Sequence, residues 1–162
     1  MKDRSTEKKG KIIGMRVIKT AISSYICFLL SFIRKTSPFY SVIAAILSMQ
    51  TDPESSVKVG KSRMVGTIIG GIYGFVAIQL INMLNIQLFG YLHYFILTLF
   101  LIPIIYTNVY LKYPSSTYIS CVVFLSITVS HGGDMNPMYF AINRTIDTLI
   151  GILVSVIINR IM

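Results

Sequence analysis

The 162-residue chain has no tryptophan, two cysteines, five prolines and six acidic residues. Charged side chains make up 13% of it, against about 25% in an ordinary soluble domain. Too few polar groups remain to coat a water-soluble globule of this size. With 54% apolar residues the chain is equally unsuited to disorder. Cys27 and Cys121 lie in apolar stretches without metal-ligand spacing, so neither a disulfide nor a metal centre is expected, and both read as small packing residues. There is no nucleotide-binding loop and no Ser-His-Asp set in a plausible context, and two histidines are too few for a hydrolase or metalloenzyme. The expectation is a non-enzyme without cofactor or metal.

What is present is a segregated charge pattern. Fifteen basic residues give a formal charge of +9, and the first nineteen positions hold seven of them. No Asp, Glu, Lys or Arg occurs from Met64 to Leu111, nor from Tyr113 to Gly133. A hydrocarbon core about 30 Å thick takes roughly 20 helical residues to cross. The first uncharged run therefore holds two spans and a turn. The chain reads as an all-α integral membrane protein with six transmembrane helices: Ile12 to Ile33, a short Pro38 to Gln50, Arg63 to Leu84, Phe89 to Val109, Ser115 to Ser130, and Pro137 to Asn159. The start imitates a signal peptide, but Ser31-Phe32-Ile33-Arg34-Lys35 offers no cleavage site, so the first segment is expected to stay as a span. Arg16 and Lys19 are expected to snorkel to the headgroups. Asp52 before Pro53 suits a helix N-cap with Pro in the first turn, although Asp52 and Glu54, like His131 and Asp134 in the turn before the last span, could also take protons from water.

Lys and Arg distribution orients the spans. With both termini inside, twelve basic residues face the cytoplasm and Arg34, Lys35 and Arg144 face out. Residues 1–11 form a basic cytoplasmic tail against anionic lipid, and 12–160 a six-span membrane domain. Nucleic-acid binding is not expected of a tail that abuts a span.

A string recurs. Arg63, Thr67 and Gly70 are matched by Arg144, Thr148 and Gly151 at an offset of 81 residues, half the chain. This divides the domain into repeats of about 12–84 and 89–160. Three spans per repeat force opposite insertion, giving inverted repeats with a site near their pseudo-twofold axis. Arg63 would point inward from one face and Arg144 from the other. Arg63 is either an interfacial anchor or an attractant for an anionic substrate. Asp147, about ten positions into the last span, costs about 2.5–3.5 kcal/mol at mid-bilayer and needs a partner. Arg144, three residues earlier, is an available one. Asp147 is either half of a structural ion pair locking two helices or, in a wet cavity, a pore-lining or proton-relay group of the substrate pathway. Thr67 and Thr148 read as interhelical glue or ligand contacts. Gly66, Gly70, Gly74 and Gly151, with Gly14, read as close-packing positions. The tyrosines mostly fall near span ends, as an aromatic belt would.

These residues resemble the aromatic acid exporter family, a branch of the fusaric acid resistance-like membrane proteins. The likeness runs over about residues 11 to 160. It is carried by Ile13-Gly14-Met15-Arg16-Val17-Ile18-Lys19-Thr20-Ala21, Pro38-Phe39-Tyr40-Ser41-Val42-Ile43-Ala44-Ala45, Met49-Gln50, Lys61-x-Arg63-x-x-Gly66-Thr67-x-x-Gly70-Gly71 and Asn143-Arg144-x-x-Asp147-Thr148-x-x-Gly151. The resemblance implies a six-span domain in the bacterial plasma membrane, homodimeric or a higher oligomer, that exports small organic anions such as aromatic carboxylates. It also implies kinship to plant anion channels with basic pore linings. Many relatives carry Pro directly after the Gln that ends the second span, whereas Thr51-Asp52 intervene here. Many also continue into a soluble cytoplasmic domain. The sequence here stops at Met162, which leaves regulation and independent transport open; a separate soluble or periplasmic partner is one option, and a non-transporting scaffold or subunit role is the alternative function.

Overall fold

The computed structural model describes residues 14–130 and 137–162. The basic tail at 1–11 and His131 and Asp134 lie outside the described residues. Every regular element among the described residues is helical: α1 (Met15–Arg34), α2 (Phe39–Ser48), α3 (Pro53–Met83), α4 (Tyr91–Tyr110), α5 (Thr117–Leu125) and α6 (Pro137–Ile161). A 3-10 turn (Pro114–Ser116) leads into α5 and a π-helical turn (Ser126–Ser130) follows it.

The chain reverses by one device used three times. Lys35, Asn85 and Lys112 adopt left-handed backbone with φ of 53°, 50° and 62°. At the first, the Thr36 and Lys35 amides donate to the Ser31 and Phe32 carbonyls at 3.2 and 3.3 Å; Ile86 and Asn85, then Tyr113 and Lys112, repeat the pattern. This is the Schellman arrangement, which satisfies carbonyls a helix end would leave bare. The start of α3 is secured differently. The Asp52 carboxylate accepts from the Ser55 amide at 2.8 Å, with Pro53 in the first turn. The helix thus begins ten residues before Arg63, where the sequence suggested the span opens. It makes one 31-residue element.

Among the described residues four helices, α1, α3, α4 and the Tyr139–Ile161 part of α6, are long and apolar enough to cross a membrane. α2 has ten residues and reaches about 15 Å, half a hydrocarbon core. The Pro114–Ser130 stretch is also shorter than a full span. The described residues thus hold four long helices and two short ones, the second segment being short as its sequence indicated.

α3 packs on α5, and α6 packs on α2; α3 and α6 also meet. α1 lies against α2 and α6, and α4 against α5 and α3. Glycines set these approaches. A Cβ at Gly66 would come within 2.7 Å of the Ser116 carbonyl, and one at Gly70 would collide with the Ser120 carbonyl and Val123. A Cβ at Gly151 would strike the Ser41 carbonyl and approach the Ala44 Cβ to 2.7 Å. Gly74 faces Ile127 more loosely, at 3.2 Å. Gly14 is a correction: nothing lies within 4 Å of it, and it serves as the residue before α1 rather than as a packing surface.

The distribution of side chains is inside-out. Ser23, Ser31, Ser41, Ser48, Ser120 and Ser155 are buried, while Phe32, Ile72, Phe95, Ile102 and Leu153 are exposed. Small polar residues between helices and large apolar ones outside suit a lipid surround, where close packing and interhelical hydrogen bonds replace the hydrophobic effect. The ends of α1, α2, α3 and α6 are tied by one such network. Lys19 Nζ donates to Asn159 Oδ1 at 3.0 Å, and Asn159 Nδ2 donates to the Gln50 carbonyl at 3.1 Å and to Ser56 Oγ at 2.9 Å. Lys19 therefore holds helices together instead of only snorkelling.

Candidate functional site

α3 and α6 pack on each other and on the two short helices, and a cavity of about 240 Å³ lies among α2, α3, α5 and α6. Arg63, Thr67, Arg144 and Thr148 all line it. Helical geometry explains the set: each Thr sits one turn after its Arg, so both strings present an arginine and a threonine on one face. Apolar and aromatic residues complete the wall, with Phe39 and Tyr40 on α2 and Tyr118 on α5.

The two guanidinium groups are held unequally. Arg144 lies over the Tyr40 ring at 4.2 Å and donates to Ser126 Oγ. The Tyr40 hydroxyl and Ser126 Oγ are themselves 3.3 Å apart. Stacking suits a planar guanidinium and leaves its remaining N–H groups for other acceptors. Among the described residues Arg63 has no such bracket, and its buried Nε–H finds no acceptor. Thr148 Oγ1 donates to the Arg144 carbonyl at 2.8 Å, which spends its proton on its own helix and leaves its lone pairs.

Asp147 is the correction among the site residues. It does not line the cavity, and its partner is not Arg144. Arg34, at the end of α1, donates to Asp147 Oδ1, and the two form an ion pair that joins α1 to α6. The carboxylate is nearly inaccessible while the arginine keeps 28% of its side-chain surface. The i,i+3 neighbour is available by spacing, but Arg144 is directed to Tyr40 and Ser126 instead. Among the described residues Arg34–Asp147 is the one ion pair, so two cations meet at the cavity without a carboxylate.

Three contributors escaped sequence reasoning. Tyr40 lies inside the Pro38-Phe39-Tyr40 string but carries no sign of its role as a platform. Ser126 reaches Arg144 at the start of a π-helical turn, and such turns often accompany functional sites. Arg34 looked like an interfacial cation.

A helical bundle with lipid-type outer faces and a cationic inner cavity defines a multi-pass membrane protein. Residues 11–162 match the family model described as aromatic acid exporter family member 1. The chain belongs to the aromatic acid exporter family. Among curated proteins it is similar to UPF0421 proteins of staphylococci. The one from Staphylococcus saprophyticus is 32% identical over 63 residues, 39% of this chain and 19% of the relative. That of Staphylococcus haemolyticus is 30% identical over the same shares. That of Staphylococcus epidermidis is 29% identical over 65 residues, 40% of this chain and 20% of the relative. The matched stretch thus spans about one fifth of the length of these relatives. No solved structure matches.

Proposed function

We propose that the chain provides a path for small organic anions, aromatic carboxylates among them, across the bacterial plasma membrane. The observation that carries this reading is the meeting of Arg63 and Arg144 at one cavity with no carboxylate of the described residues to neutralise them. Two unneutralised guanidinium groups in a low-dielectric wall favour an anion strongly. Phe39, Tyr40 and Tyr118 offer ring faces to the apolar body of such a solute.

The Lys and Arg distribution supports an N-in/C-in orientation, and the packing is consistent with two inverted three-helix repeats. The third helix of each half, α3 or α6, grips the second helix of the other half, α5 or α2, through a glycine against a backbone carbonyl. Inverted repeats of this kind place a site where the halves meet. A second copy of the chain is the natural cover for the cavity's outer side. Its wall there is built by the two short helices, and Tyr118 is 72% exposed. That same incompleteness favours the second reading, a subunit that conducts only inside a larger assembly with a separate partner.

Proteoliposomes containing the purified chain test the proposal. Uptake of labelled benzoate should exceed that of empty liposomes. Arg63→Gln and Arg144→Gln should each lower it about tenfold or more, as expected for removing a charged hydrogen-bond partner in a dry site, with insertion unchanged. Wild-type flux no greater than background would favour the subunit reading. Flux that ignores both substitutions would refute the role of the cavity.

A further inference from the structure

A second cavity of about 390 Å³ adjoins the first and shares Leu47, Arg63, Tyr118 and Ile119 with it. It is lined in addition by Lys58, Ser62 and Ser115. The two cavities follow one face of α3. Ser62 lies one turn after Lys58, Arg63 is the next residue along the helix, and Thr67 follows one turn after Arg63. The early start of α3 makes this possible, because the Asp52 cap carries the helix through Lys58 instead of leaving it in a loop.

We propose that Lys58, Ser62, Arg63 and Ser115 form a second anion site, a receiving station for a carboxylate before it reaches Arg144. This rests on reading the first cavity as an anion path. Lys58 is exposed, and among the described residues no carboxylate lies within ion-pair distance of it. Ser62 Oγ and Ser115 Oγ are 2.8 Å apart, so one hydroxyl donates to the other and the second O–H remains for an acceptor in the cavity. Arg63 belongs to both cavities, and its Nε–H has no acceptor among the described residues. Arg144 is pinned by Tyr40 and Ser126. The chemistry is therefore a relay with one fixed end. An anion meets Lys58 and the hydroxyl pair, is taken by Arg63, and passes to Arg63 and Arg144 together. A path needs such steps, since a single deep site between two guanidinium groups would hold an anion too tightly to release it.

Sided benzoate uptake in proteoliposomes of uniform orientation tests this. Lys58→Gln should raise the half-saturating benzoate concentration about five-fold when benzoate is supplied on the Lys58 side, the effect of losing one solvent-screened charge contact. Maximal flux should stay near wild type. Lys58→Glu should raise it further, and Lys58→Arg should restore it. Ser115→Ala should act in the same direction more weakly. Arg144→Gln should instead lower maximal flux. Lys58 variants with wild-type saturation, beside a defective Arg144→Gln, would overturn the second site and leave the path standing. Wild-type chain without benzoate flux would overturn the path and this site with it. Because Lys58 is exposed, its variants are expected to insert at wild-type yield, which detergent size-exclusion profiles verify.

Discussion

The Arg63–Gly70 stretch of α3 and the Arg144–Gly151 stretch of α6 spell arginine, threonine and glycine at the same spacing, yet only part of each behaves alike. The glycines do the same work: Gly70 lets α3 seat on the Ser120 carbonyl of α5, and Gly151 lets α6 seat on the Ser41 carbonyl of α2. The arginines reach the same cavity. Their partners differ. Arg144 is clamped by Tyr40 and Ser126, whereas Arg63 keeps an unmet donor. At the third position after the arginine, Gly66 packs against Ser116 while Asp147 pairs with Arg34. Backbone contact tolerates little change, because a carbonyl at van der Waals distance admits no Cβ. Polar partners can be exchanged one at a time. The comparison shows two glycine seats that work alike and two arginines that do not: among the described residues one is bracketed and the other is left with an unmet donor.

The most damaging way to break the comparison is at Asp147. Arg34→Ala leaves a buried carboxylate without its counter-charge, which costs about 3–5 kcal/mol. Thermal unfolding in detergent should show a large loss. The Arg34→Leu, Asp147→Gly double variant gives α6 the glycine that α3 has at the matching position and should recover most of the loss, since removing both charges avoids the unpaired one. A double variant as unstable as Arg34→Ala would mean that the pair does more than balance a charge.

The next test separates shared from incidental glycines. Gly151→Ala and Gly70→Ala force a methyl into a backbone carbonyl and should each cost about 1–3 kcal/mol. Gly71→Ala, with nothing within 4 Å of the added carbon, should be neutral or slightly stabilising through helix propensity. Equal effects at all three positions would remove the claim that the repeated string encodes helix contact.

The long helices were legible because charge is excluded from Met64 to Leu111 and from most of the neighbouring segments. The convergence of Arg63 and Arg144 followed from the 81-residue offset. Asp52 was legible as a cap because Asp-Pro is a local signal that needs no tertiary knowledge. The partner of Asp147 was not legible. Spacing along a helix proposes Arg144, whereas the residue that reaches it is 113 positions away in the chain. Lys19 misled for the same reason: its snorkelling is a local expectation, and Asn159, 140 positions away, is a tertiary fact. Tyr40 and Ser126 were hidden because aromatic and hydroxyl residues are common in membrane helices, and only the approach of α2 and the π-helical turn to α6 selects these two. The Asp52 cap announced a helix start before Arg63, but the polarity of the next ten residues gave no sign that this helix runs unbroken into the span as one 31-residue element.

The smallest expected effect lies at that extension and bears on the contrast between the two arginines, because Lys58 stands on it. The Ser55 amide holds the Asp52 carboxyl below the usual carboxylate range, with the Ser55 side chain helping. A folded value below the unfolded one, about 3.9, means the cap stabilises the helix start above that pH. The stabilisation is lost as pH falls through the lower folded value. Protection of the Ser55 and Ser56 amides from hydrogen exchange, corrected for the intrinsic rate at each pH, should therefore be high at neutral pH and fall only once the solution is more acidic than the ordinary carboxylate range. Asp52→Asn keeps an acceptor and should abolish the acid dependence while leaving neutral protection largely intact. Asp52→Ala should expose both amides at every pH and, by fraying the turn that leads to Lys58, weaken the receiving site without touching Arg144. Protection unchanged in Asp52→Ala would mean that packing of Ser56 against Asn159 and Gln50 holds the helix start by itself.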